Sequence, residues 1–292
     1  MAAAPRGIDH LVLSARDLDA AEARFRGLGF TLTPRAHHPF GTSNNLAIFD
    51  GNFLELLAIT APEKLPPHAS GRFSFGAHTA DFLKRREGLS FLVLASEDAR
   101  RDHAEFVAAG LDTFEPVDFS RGAVQPDGRE ATMSFTIVFV TDPRMPDAPH
   151  FVCQQHTPEH FWHAAYQRHA NGARRIAAAT LVADRPEEIG DYYRRLIGRD
   201  SIAPQAGGLV VTTRRGTIEV VRPEALATRY AGVEAPILEP RPYIAGLSIA
   251  VADLGAAQRC LRQGGTPFAA ADGALRVAPA DVFGAVLEFV QD

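Results

Sequence analysis

Histidine is the side chain best suited to proton transfer and metal binding near neutral pH, and here it is unevenly spread. All eleven histidines lie in residues 1–169 and none in residues 170–292. His10 sits inside the apolar run I-D-H-L-V-L (8–13), and Glu55 sits inside F-L-E-L-L (53–57). A lone histidine in an apolar strand is often a satisfied core residue. A lone carboxylate is harder to dismiss, because burying it unpaired costs several kcal/mol. Glu55 must therefore meet a cation, a metal, a proton or water. Glu219 in T-I-E-V-V and Glu288 in V-L-E-F-V pose the same question. The loop His38-Pro39-Phe40-Gly41-Thr42-Ser43-Asn44-Asn45 offers neutral groups that can bind carbonyl and hydroxyl oxygens, or that can simply cap a turn. Arg121 and Arg144 can bind a carboxylate or stand solvated. The run Cys153-Gln154-Gln155-His156 ends an apolar segment, and Phe161, Trp162 and Tyr166 read as a helix face packing on the first half.

These residues are placed by a repeated unit. Residues 8–14 read as a strand. Asp17 then caps a helix with an apolar stripe at Leu18, Ala21, Phe25 and Leu28, and Gly29 stops it. Strands are expected at 31–33, 45–50 and 53–59, with a turn at Asp50-Gly51 between the last two. The order βαβββ recurs at 88–155, 175–222 and 243–291. VLSARDL (12–18) aligns with SIAVADL (248–254), and FLELL (53–57) with VLEFV (286–290) and TIEVV (217–221). The chain thus reads as α+β, four βαβββ units in two pairs, with the division at Asn171-Gly172: residues 1–170 and 171–292. Residues 60–87 interrupt the first pair. Phe73 and Phe75 there could cover a pocket, but an ordinary surface excursion with one apolar anchor is the simpler expectation.

Four such units, with a first strand I-D-H-L-V-L and a last strand F-L-E-L-L, resemble the vicinal oxygen chelate superfamily. It includes glyoxalase I, extradiol dioxygenases and the bleomycin- and fosfomycin-resistance proteins. DHLVLSARDLDAAEARFRGLGF, HPFGTSNN (38–45) and PDGRE (126–130) point to its glyoxalase-like branch. The resemblance implies two paired glyoxalase-like half-barrel domains, each a cup that binds a small molecule. It also implies metal ligands on the first and last strands of paired units. His10 and Glu55 match those positions. Phe91 and Cys153 fall at the partner positions in unit two, with Gln154, Gln155 or His156 as alternatives if the register slips by one. In the second pair Glu219 and Glu288 remain, but Ala178 or Ala179 and Gly246 stand where first-strand ligands belong. An extradiol dioxygenase is disfavoured, since its His, His, Glu set is incomplete.

The expected function is a lyase or isomerase working next to a carbonyl or vicinal oxygen group in the N-terminal cup. The alternative is a binding or resistance protein that sequesters a small molecule. His10 and Glu55 are the expected catalytic pair, and His38, Thr42, Asn44, Gln154, His156 and Arg121 the expected substrate contacts. A divalent Zn, Ni, Mn or Fe ion would use His10 and Glu55, but a metal-free acid–base pair is favoured. Other classes are excluded more simply. A net charge of −5 does not suit a nucleic-acid surface. Two cysteines cannot build a disulfide framework or a Cys-rich zinc site. No apolar run nears the length of a membrane span and MAAAPRGIDH lacks a signal-peptide core, so a cytoplasmic protein is expected. A homodimer is left open as its assembly. No dinucleotide-binding glycine motif, P-loop, H-E-x-x-H or G-x-S-x-G occurs.

Overall fold

The computed structural model of the chain describes residues 6–235 and 237–292. Unit one comprises β1 (Ile8–Ser14), α1 (Leu18–Gly27), β2 (Ala36–His37), β3 (Thr42–Ile48) and β4 (Phe53–Ile59). The insertion carries α2 (Phe75–Arg85). Unit two comprises β5 (Gly88–Ala95), α3 (Ala99–Ala108), β6 (Asp112–Thr113), β7 (Val117–Val124), β8 (Glu130–Thr141) and β9 (His150–Gln155). Unit three has β10 (Ala173–Val182), α4 (Pro186–Leu196), β11 (Ile202–Gln205), β12 (Gly208–Thr212) and β13 (Thr217–Val221), followed by the short α5 (Leu226–Arg229). Unit four has β14 (Tyr243–Val251), α6 (Leu254–Gln263), β15 (Ala269–Ala271), β16 (Ala274–Val277) and β17 (Val286–Gln291).

The helices start where the sequence expects. Asp17 accepts hydrogen bonds from the backbone N–H groups of Asp19 and Ala20, and Asp98 from that of Arg101. These bonds satisfy donors that a helix start leaves free. Leu18, Ala21 and Phe25 of α1 are buried.

Within each pair the first strands of the two units join antiparallel, β1 to β5 and β10 to β14. Each also pairs in parallel with the last strand of its own unit: β1 with β4, β5 with β9, β10 with β13 and β14 with β17. The two curved sheets touch through Ile244 of β14 and Leu89 of β5.

Strand alternation decides what each face holds. Leu11, Leu13, Leu54, Leu56 and Val152 face the helices and belong to one apolar core containing side chains from all four units. Val12, Phe53, Leu57, Phe151 and Cys153 face the first cup. Cys153 is thus the inward residue of β9, which fixes the register that the sequence leaves open. Between Ile8 and His10 the β1–β5 pairing slips by a residue. The bulge puts Ile8 on the helix side although His10 and Val12 face the cup.

Three expectations need correction. Residues 31–33 are not a strand; Ala36–His37 pairs with β3 instead. Residues 161–166 form no helix, only turns after a 3-10 turn at Pro158–His160. The insertion has more than the one apolar anchor of a surface excursion, since Phe75, Phe82 and Leu83 are all buried and Phe75 stacks on Phe91 at 4.8 Å. Among the described residues no helix is long and apolar enough to cross a membrane.

Candidate active site

The first cup holds a narrow cavity. Its walls are mostly aromatic: Phe40, Phe53, Phe75, Phe119, Phe135, Phe151 and Phe161. Its polar groups are His10, His38, Asn44, Glu55, Arg121 and the thiol of Cys153.

β1 and β4 run parallel with Val12 opposite Glu55 and His10 opposite Phe53. The His10 ring stacks on Phe53, centroids 4.2 Å apart. Its Nε2 then stands 3.6 Å from Glu55 Oε2. Its Nδ1 lies 2.7 Å from Oδ2 of Asp9, a contact between chain neighbours that the bulge permits. A carboxylate only accepts, so Nδ1 donates to Asp9, and Nε2 is turned to Glu55 and the cavity. Asp9, His10 and Glu55 therefore form a carboxylate–imidazole–carboxylate row.

Glu55 is 5 % exposed. Asn44 Nδ2 donates to its Oε1 at 2.5 Å and also approaches Nε2 of His38 at 3.4 Å. The other ring nitrogen of His38 meets the hydroxyl of Thr42 at 2.8 Å. Burial, with Arg121, His10 and His37 nearby, holds the pKa of His38 well below its usual value, so this ring is neutral at pH 7. Gly41 makes the loop possible. Its φ of +88° suits glycine, and a Cβ there would meet the carbonyl oxygen of Ala61 at 2.5 Å.

Not every expected contact reaches the cavity. Thr42 is buried behind His38 and acts through it. Gln154 lies on the other face of β9, where it accepts from the N–H of Ala99 and donates to the carbonyl of Glu97. His156 follows the strand end and bonds to the hydroxyl of Thr136 at 2.7 Å. Neither lines the cavity, because alternation gives the inward place to Cys153. Arg144 is bound to Asp142 and Asp191 at the surface. Arg121 does line the cavity, and from within a strand, β7, that the sequence reading overlooked. Asp9 was overlooked too, and Phe161, read as part of a helix face, lines the cavity from a turn. Asp9 is adjacent to His10, but a regular strand would point the two apart.

The metal implied by the superfamily finds a poor donor set. His10 and Glu55 could share an ion, but structural and catalytic sites usually have three protein ligands or more. Phe91 cannot ligate. Burial, with Asp9 and Glu55, pushes the Cys153 thiol well above its ordinary value, so it stays protonated. Arg121 adds a fixed positive charge to the same cavity. Among the described residues no three His, Cys, Asp or Glu side chains are grouped to hold a metal.

The second cup is filled by ions. Glu288 accepts from Nη1 and Nη2 of Arg229 at 2.9 Å, from Nε of Arg276 at 2.8 Å and from Ser248 at 2.5 Å. Arg229 Nε also reaches Glu219 at 2.5 Å. The two carboxylates that looked like relics of a ligand set are thus neutralised by arginines.

The sequence model of a family described as "Glyoxalase-like domain" matches residues 8–197. A search of curated protein sequences gives no match. Among solved structures, a hypothetical protein from Staphylococcus aureus has a TM-score of 0.70 at 12% identity, covering 98% of this chain and 100% of its own. A mutant 4-hydroxymandelate synthase from Streptomyces coelicolor has a TM-score of 0.59 at 14% identity, covering 99% and 93%. A Mn(II)-bound glyoxalase from Novosphingobium aromaticivorans has a TM-score of 0.57 at 12% identity, covering 98% and 82%. At such identities these likenesses concern the fold.

Proposed function

The chain belongs to the glyoxalase-like domain family, and from that premise we propose that it is a small-molecule enzyme of lyase or isomerase type, moving a proton next to a carbonyl in the N-terminal cavity. The observation that carries this reading is the Asp9–His10–Glu55 row. Nε2 of His10 takes the proton from the carbon beside the carbonyl. The imidazolium that forms lies between two carboxylates, which stabilise it. Returning the proton to a neighbouring atom gives an isomerase; expelling a leaving group gives a lyase. Asn44 anchors Glu55, and the phenylalanines keep water from the reacting carbon. In this reading residues 1–170 form the working domain, and residues 171–292 form a second domain that braces it.

The test is hydrogen exchange. Phenylacetone in D₂O should lose its α-protons faster with the protein than with buffer alone, as followed by proton NMR. An exchange rate equal to buffer, with the ketone bound, would instead favour the second reading, a protein that sequesters its ligand. The mostly aromatic lining of the cavity supports that alternative.

The proposal routes no step through a metal. Elemental analysis is expected to find less than stoichiometric Zn, Ni, Mn or Fe, and a chelator to leave the melting temperature unchanged, since no native-state ligand is withdrawn. One equivalent of metal, lost in His10→Ala, would show that two donors suffice.

A further inference from the structure

Arg121 is 7 % exposed and lines the cavity from β7. A guanidinium carries five N–H donors and keeps its charge in a protein. Burial works to lower the pKa of Arg121, and Glu55 works to raise it. Yet its hydrogen bonding is almost unused. Among the described residues its one bond is Nη1 to the carbonyl of Gly122, at a long 3.4 Å. Among the described residues no carboxylate pairs with it, whereas in the second cup Arg229 binds two carboxylates directly. Its carbon Cζ stands 5.7 Å from the ring centre of Phe135, which holds the fork without consuming its donors. A buried cation with free donors is costly unless something accepts from them.

We infer that Arg121 is the anchor for a carboxylate on the ligand, so that the cavity takes aromatic or similarly flat apolar monocarboxylates. The inference rests on reading this cavity as the small-molecule site and adds what enters it. A planar carboxylate matches the guanidinium fork with two parallel hydrogen bonds. The ligand body then lies among Phe119, Phe135 and Phe40, which also line the cavity. A phosphate dianion suits the place less well. It would bring two negative charges to one guanidinium, with Glu55 on the same cavity wall.

Calorimetry on the full chain tests this with phenylacetate, its neutral counterpart phenylacetamide, and benzylphosphonate. Phenylacetate should bind roughly tenfold tighter than phenylacetamide or better, the range of a charge-assisted pair. Arg121→Gln should remove that preference and leave phenylacetamide binding within about twofold, since amides do not need the charge. Equal binding of acid and amide by the natural protein, or no binding of either, overturns the inference. So does an equal loss of both in a folded Arg121→Gln variant, which would make Arg121 structural. Benzylphosphonate binding tighter than phenylacetate would mark a phosphate site instead. If Arg121→Gln does not fold, the acid–amide comparison in the natural protein decides. A carboxylate preference without α-proton exchange sinks the proton-transfer reading alone; exchange without the preference sinks this inference alone.

Discussion

His10→Gln is expected to slow α-proton exchange by about 10²–10⁴-fold, the usual contribution of a positioned acid–base group. Glutamine can keep a hydrogen bond to Asp9 and fill much of the space against Phe53, but it offers no basic nitrogen. Ligand binding should therefore change far less than the exchange rate. Asp9→Asn is the sharper arm. Its amide can donate to Nδ1, which would place the ring proton on Nε2 and turn the base away from its task. A loss of similar order is expected, because swapping an orienting carboxylate for an amide costs up to about 10⁴-fold where a triad depends on the tautomer. Unchanged exchange in both variants, with both folded, would remove His10 from the mechanism.

Glu288→Gln is expected to cost about 3–5 kcal/mol of stability, the range for removing one partner of a buried ion pair. Glutamine leaves Arg229 and Arg276 without a carboxylate that accepts four hydrogen bonds. Ligand binding in the first cup should stay close to unchanged, and thermal melting with calorimetry would check both statements. The same residue sets a pH dependence. Burial opposes its ionisation, but Arg229, Ser248 and Arg276 outweigh burial and hold its carboxyl below the ordinary value of 4.5. A depressed carboxylate pKa adds stability that is present above the unfolded value and lost as pH falls through the folded one. Melting temperature should thus begin to fall near pH 4.5 and drop further below it, and Glu288→Gln should flatten that part of the profile. A variant as stable and as acid-sensitive as the natural chain would show that the network contributes little.

The repeat and the inward placement of His10 and Glu55 were legible because each rests on local spacing. A polar residue amid alternating apolar ones marks a buried group wherever its partner lies. The same signal was present and unused in A-L-R-V (274–277), where Arg276 faces Glu288 across the β16–β17 pairing. Other features were not local. Arg229 reaches Glu288 from 59 residues away, and nothing in its own short segment points there. Asp9 required the bulge, which is a property of the pairing between β1 and β5 rather than of either strand. Gln154 and His156 were misassigned because one residue of uncertainty at a strand end exchanges inside for outside.

The helix-side core draws on all four units, and contacts across the middle of the chain are specific. Asn52 exchanges two hydrogen bonds with the backbone of Ile176, and Tyr193 meets the buried His150 at 3.2 Å. A gene cut after residue 170 would therefore expose a broad apolar surface, and its product should collect in inclusion bodies rather than retain the cavity. For anyone wishing to miniaturise or recombine this protein, the half that does not line the first-cup cavity cannot be discarded. The smallest transferable piece is the whole chain.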